Sequence, residues 1–358
     1  ILLSEALFLY RQKKYDILQK LLIEINIDKL EKKRKPTYLN LKANLHHHLK
    51  EFSAAFKTFK VMNETIKKNP VFKNQRADEY LNEQRDRVFQ LECMEEIFLD
   101  HLEVDRKGLQ PTFLIGFPRS GTTLLDTILR SHPSIDVLEE KPIVDQYIDE
   151  LKQKIDSNFD ILKSSNSSLK KEMRHFYFDR RNKYLNDTKK VIIDKMPLNI
   201  IYVGEIIRYF PKAKFILALR HPNDCVLSCF MQNFLLNNAM ANFLNIKDSA
   251  KMYDLVMKLW EIYKSKFSLD FHTIKYEDLI SNFKGSVSNL LKFLDLPWSN
   301  EVTEFYKTSQ KRGIIATPSY NQVSQPLYSK SIGRWKNYKN ELTDSNKYLE
   351  SWIKKYNY

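Results

Sequence analysis

The chain has little glycine, little cysteine and no long apolar run. Seven glycines occur among 358 residues, and two of them, Gly116 and Gly121, fall within one stretch of eight residues. Three cysteines, Cys93, Cys225 and Cys229, are too few for a disulfide framework, and they lack the paired spacing of a zinc site. Metal is therefore not expected, and a reducing compartment is. No stretch approaches the roughly 18 consecutive apolar residues of a membrane-spanning helix. The chain opens on Ile1 with no initiator Met and no signal-like segment, which is compatible with a targeting segment already trimmed away.

Positive charge is plentiful. Lys and Arg total 58 against 44 Asp and Glu, a formal net charge of +14. Such a balance suits an anionic or acidic substrate. The lysines are dispersed rather than concentrated on one element, and no nucleic-acid reader motif accompanies them, so nucleic-acid binding is not expected. Hydrophobic residues make up 43%, enough for a soluble globular core.

Residues 1–105 read as successive helices without strand signals. The segment Tyr38–Pro70 has helical periodicity interrupted at Leu49-Lys50-Glu51 and closed by Asn69-Pro70. This layout resembles a tetratricopeptide (TPR) repeat of about 34 residues, and residues 5–25 resemble part of a preceding one. The resemblance implies a surface for a protein partner. Within this region His46-His47-His48 does not read as a metal site, because adjacent helical positions point about 100° apart.

From residue 106 onward the pattern changes to α/β. Short apolar runs at Thr112–Phe117, Lys190–Asp194, Lys214–Leu219 and Phe271–Tyr276 alternate with amphipathic helical stretches. This alternation predicts a P-loop-type parallel sheet flanked by helices, with ligand chemistry at the carboxyl ends of the strands. The expected division is therefore a TPR-like helical region, 1–105, and a catalytic domain, 106–358.

The residues after each run carry that chemistry. Gly116-Phe117-Pro118-Arg119-Ser120-Gly121-Thr122-Thr123 opens an apolar helix at P-loop spacing, but Thr122 stands where nucleoside triphosphatases place lysine. The anion cradle remains while the β/γ-phosphate lysine is gone, which disfavours a P-loop phosphotransferase. Downstream come Ser131-His132-Pro133 and Glu139-Glu140, then Asp194-Lys195-Met196-Pro197, then Arg220-His221-Pro222-Asn223-Asp224 with Ser228. Tyr276, Ser319, Gln322 and the Gly333-Arg334-Trp335 triplet follow.

Taken in order over residues 110–340, these motifs resemble the PAPS-dependent sulfotransferases, closest to bacterial TPR-containing members and to tyrosylprotein sulfotransferases. PAPS is 3′-phosphoadenosine 5′-phosphosulfate. The resemblance implies that Arg119, Ser120, Gly121, Thr122 and Thr123 hold the 5′-phosphosulfate, and that Arg220, Ser228 and Arg334 hold the 3′-phosphate. It sets Tyr276 near the adenine and Gln322 in the closing segment around the donor. Glu140 is the implied general base, with Glu139 as the alternative and His132 as a weaker one. Lys195 and Ser319 are implied to stabilise the transferring group. Gln232 departs from the tyrosylprotein members, which carry Arg there.

The implied reaction moves a sulfuryl group to a hydroxyl acceptor without metal, leaving 3′,5′-ADP. The acceptor stays open among a peptide tyrosine, a glycan and a small molecule. Two other readings are a TPR scaffold with an inactive transferase domain, and a P-loop phosphotransferase. The setting expected is cytoplasmic and bacterial.

Overall fold

The computed structural model describes residues 2–94, 110–155, 167–185, 190–311, 327 and 331–358. The first helices of ten residues or more are α1 (Leu2–Arg11), α2 (Tyr15–Glu24), α3 (Lys35–His48), α4 (Phe52–Lys67) and α5 (Ala77–Cys93). Then follow β1 (Thr112–Gly116), α6 (Thr122–Arg130), β2 (Ile135–Glu139), α7 (Ile143–Lys154), α8 (Ser167–Asn182) and β3 (Val191–Lys195). Next are α9 (Val203–Tyr209), β4 (Lys214–Leu219), α10 (Pro222–Phe230), α11 (Ile246–Lys266) and β5 (Asp270–Lys275). The described chain closes with α12 (Tyr276–Ser281), α13 (Phe283–Phe293), α14 (Phe305–Lys311) and α15 (Thr343–Lys355).

The residues form two compact units. One joins 1–83 with 221–254 and 330–358; the other joins 84–220 with 255–329. The boundary expected between residues 105 and 106 lies outside the described residues.

The second unit holds a five-stranded parallel sheet in the order β2-β3-β1-β4-β5. All four strands read from the sequence form, each displaced by no more than a residue at either end. The edge strand β2 was not expected. Its apolar residues Ile135, Val137 and Leu138 are buried, while Asp136 and Glu139 interrupt the hydrophobic run. Central β1 is buried along its whole length, as a strand with neighbours on both sides and covered faces must be. One face packs Leu114, Ile216 and Ile274 against Leu124, Leu125 and Ile128 of α6 and Leu290 and Leu291 of α13.

The first unit is helical. Leu9, Leu22, Leu41, Ala43, Ala55, Phe59 and Met62 of α1–α4 share one core with Leu227, Phe230, Leu244, Tyr338 and Leu342. The interruption expected at Leu49-Lys50-Glu51 separates α3 from α4, with Lys50 in a left-handed conformation at φ 63°. Each histidine of the triplet has its own protein partner. His46 pairs with Glu51 at 2.5 Å, His47 meets the Tyr338 hydroxyl at 2.7 Å, and His48 stacks on Tyr15 at 3.6 Å.

Candidate active site

The glycine-rich turn is built by close approach. A Cβ on Gly116 would lie 2.6 Å from the Ala218 carbonyl oxygen of β4, and one on Gly121 would lie 2.8 Å from the Tyr276 ring. Gly121 is the N-cap of α6 at φ 100°, a conformation natural to glycine, and Arg119 is also left-handed at φ 70°. The turn thereby delivers the first N–H groups of α6 to whatever anion sits at the sheet's carboxyl edge. Ser120 is 2% exposed and its hydroxyl has no partner among the described residues, so a polar group is wanted there. Thr122 and Thr123 are buried in the first turn of the helix.

Arg220, at the carboxyl end of β4, braces this turn. Its Nη1 donates to the Arg119 carbonyl at 3.2 Å, and its guanidinium lies 5.0 Å from the Tyr276 ring centroid. Tyr276 begins α12 directly after β5, which puts it against Gly121.

Two strands away, β2 and β3 end side by side with Glu139 opposite Lys195 in register. The Glu140 N–H donates to the Lys195 carbonyl at 2.8 Å, and Glu140 itself turns at φ 48°. Lys195 is fully buried, a costly place for an ammonium unless carboxylates surround it. Its Nζ lies 2.8 Å from Glu140, 3.5 Å from Glu139 and 3.9 Å from Asp126. The Glu140 side chain is 40% exposed, so of the three it is the carboxylate that an incoming molecule can reach.

Asp126 was not singled out from the sequence. It is fully buried on α6 and also paired with Arg130 at 2.8 Å. An acid inside the apolar run Leu124-Leu125-Asp126-Thr127-Ile128-Leu129 was the available signal. His132 is locked instead of poised. Its Nδ1 accepts from the Ser134 N–H at 3.1 Å, and its Nε2 donates to the Pro297 carbonyl at 3.0 Å. With both nitrogens engaged it has no lone pair to offer a substrate.

Beneath Lys195, on the opposite face of β3, Asp194 accepts from the Tyr177 hydroxyl at 3.2 Å. Burial pushes its carboxyl up to about 7, with the Tyr177 hydrogen bond opposing. Burial likewise raises Asp145, with Asp149 adding to the effect, and lowers Arg181.

In the other unit, α10 carries Ser228, and a short 3₁₀ turn, Arg334–Tyr338, carries Arg334. Asp224 of α10 ties the two together. Its Oδ2 accepts from the Gly333 N–H at 2.8 Å and its Oδ1 from the Trp335 N–H at 2.9 Å. Ser319 and Gln322 lie outside the described residues. Among the described residues no group of His, Cys, Asp and Glu is arranged to hold a metal ion, and no helix is long and apolar enough to cross a membrane.

Comparison with known proteins bears on this arrangement. An uncharacterized protein of Aquifex aeolicus is 28% identical over 324 residues, covering 87% of this chain and 41% of its own length. The chain thus spans about two-fifths of that relative. Human protein-tyrosine sulfotransferase 1 is 26% identical over 240 residues, 64% of each chain. Among solved structures, the sulfotransferase domain of the Synechococcus olefin synthase aligns with TM-score 0.47 and 16% identity, over 69% of this chain and 96% of that one. A mouse sulfotransferase complexed with PAP aligns with TM-score 0.39 and 18% identity, over 66% of this chain and 82% of that one. The profile of the sulfotransferase family matches residues 111–300, more than half of the sequence and the stretch that carries the glycine turn, the Glu140–Lys195 pair and Arg220, and the chain belongs to that family.

Proposed function

We propose that the protein transfers a sulfuryl group from PAPS to a hydroxyl acceptor. The observation that carries this reading is the buried Lys195 ammonium 2.8 Å from the accessible Glu140 carboxylate, at the same sheet edge as the glycine turn. Glu140 takes the acceptor's hydroxyl proton as the acceptor oxygen bonds to sulfur. The bond from sulfur to the bridging oxygen breaks, and its electron pair stays on the phosphate oxygen of 3′,5′-ADP. Lys195 and Ser319 offset the charge that gathers on that bridging oxygen. Arg119 and the residues Ser120–Thr123 receive the 5′-phosphosulfate; the Ser120 hydroxyl, which has no partner among the described residues, supports this assignment.

Arg220, Ser228 and Arg334 are assigned to the 3′-phosphate, Tyr276 to the adenine end and Gln322 to the donor. Thr122 in the lysine position of the P-loop favours this chemistry over phosphoryl transfer from a triphosphate. The sulfuryl group carries less negative charge than a γ-phosphoryl, so transfer is proposed to need no metal. The transferase domain is proposed to begin near residue 106. Residues 1–105 are proposed to form a TPR-like layer that presents an acceptor or protein partner. A peptide tyrosine is the acceptor favoured by the protein-tyrosine sulfotransferase relatives. Three thiols with no disulfide among the described residues suit a cytoplasmic setting.

Thermal denaturation with 3′,5′-ADP and with 5′-AMP tests the donor. A ligand that binds only the native state stabilises it more the tighter it binds, with the logarithm of concentration over Kd, so 3′,5′-ADP should raise the Tm well beyond the effect of 5′-AMP. Equal shifts with the two ligands would remove the PAPS assignment. Sulfuryl transfer should also persist in excess EDTA, and rescue by Mg²⁺ would count against the mechanism.

A further inference from the structure

The N-terminal helices hold the two elements to which the donor's 3′-phosphate is assigned, each by polar contacts that packing alone would not require. At the carboxyl end of α10 the last carbonyl groups have no acceptor role inside the helix and need donors from outside. Asn63 of α4, 1% exposed, donates from Nδ2 to the Phe230 carbonyl at 3.0 Å, and Asn40 of α3 donates to the Met231 carbonyl at 3.1 Å. Phe56 of α4 stacks on Phe230 at 4.9 Å. The helix that carries Ser228 is thus capped by the N-terminal layer.

The Arg334 turn is held in the same way. Tyr338, fully buried, ends it and meets His47 Nδ1 of α3 through its hydroxyl at 2.7 Å. The Tyr338 ring is edge-on to Phe52 at 5.5 Å. Burial, with the Arg334 charge adding to it, lowers His47 to about 4, so at neutral pH the imidazole is uncharged, shares a hydrogen bond with the Tyr338 hydroxyl and adds no positive charge beside Arg334. The Arg334 guanidinium lies 2.7 Å from the sulfur of Met231, the residue whose carbonyl Asn40 caps. Asp224 closes the arrangement by receiving the Gly333 and Trp335 N–H groups.

We propose that Asn40, Asn63 and His47 are positioning residues for the 3′-phosphate subsite, so that the N-terminal helices are a working part of donor recognition and not only an attachment to it. This rests on the assignment of Ser228 and Arg334 to the 3′-phosphate.

The test is calorimetric titration of the whole chain with 3′,5′-ADP and with 5′-AMP, comparing the parent with Tyr338→Phe, His47→Phe, Asn63→Leu and Arg334→Gln. Loss of a buried hydrogen bond that orients the Arg334 turn should weaken 3′,5′-ADP by about tenfold and leave 5′-AMP within about twofold. A purely structural role would lower the Tm of these variants without changing the ratio of the two affinities. If Arg334→Gln collapses the ratio and the other three leave it intact, the proposal is overturned. If Arg334→Gln also leaves it intact, the 3′-phosphate assignment falls and the proposal falls with it. Should Asn63→Leu or His47→Phe fail to fold, Tyr338→Phe decides alone, since it removes one oxygen atom from a ring that keeps its packing.

Discussion

Glu140 and Lys195 form an ion pair, so the proposed base and the proposed charge stabiliser are in direct contact at 2.8 Å. Glu140→Gln keeps the shape, cannot take a proton and no longer neutralises the ammonium. Turnover under saturating donor should fall by about a hundredfold or more while 3′,5′-ADP still raises the Tm. Normal turnover by Glu140→Gln, with Glu139→Gln inactive, would move the base to the neighbouring residue. Asp194 supplies a second prediction, about stability. Its carboxyl titrates near 7 in the folded protein and near 3.9 when unfolded, so the native state holds the proton more tightly. That contribution is complete below about pH 4 and is lost as pH rises through about 7. Asn at this position stays neutral throughout. The Tm of Asp194→Asn relative to the parent should therefore climb between pH 5 and pH 8, and a flat difference would show that Asp194 does not titrate there.

At the scale of elements, the α6 amino end depends on Gly121. A methyl group there meets the Tyr276 ring at 2.8 Å and an unfavourable φ of 100° together. Strain at such a position costs about 1–3 kcal/mol, and the ring that would have to yield also lies under Arg220. Gly121→Ala should lower the Tm by several degrees and weaken 3′,5′-ADP, measured by melting and titration; unchanged binding would detach Tyr276 from the donor. The turn, β1, β3, β4 and β5 were legible in the sequence because each is a local signal: an apolar run followed at once by glycine, lysine, arginine or tyrosine. β2 was not, because Asp136 and Glu139 dilute its five residues and His132-Pro133-Ser134 reads as a turn. Asp126 near Lys195, and Asn40 and Asn63 at the end of α10, are relations through space between segments far apart in the chain, and no local pattern encodes them.

At the scale of the molecule, residues 1–83 share a core with 221–254 and 330–358. A chain begun at residue 106 would strip Leu227, Phe230, Met231, Tyr338 and Leu342 of their partners on α1–α4. Burying or exposing each large apolar side chain is worth about 1.5–3 kcal/mol, so five together are comparable to the whole stability of an ordinary domain. Such a truncated chain should be insoluble or lack a cooperative melt, measured by circular dichroism beside the full chain. A sharp melt would show that the C-terminal segments find their own core.

The three-segment make-up of that helical unit also governs how the protein comes into being. During synthesis α1–α4 leave the ribosome with Leu41, Phe59 and Met62 facing a core whose remaining parts are not yet translated. Roughly 5–20 residues are added per second, so segment 221–254 follows only after many seconds and segment 330–358 after more. Through that interval the early helices carry uncovered apolar surface and must be sheltered or wait half-formed, and the unit cannot close until segment 330–358 has been made.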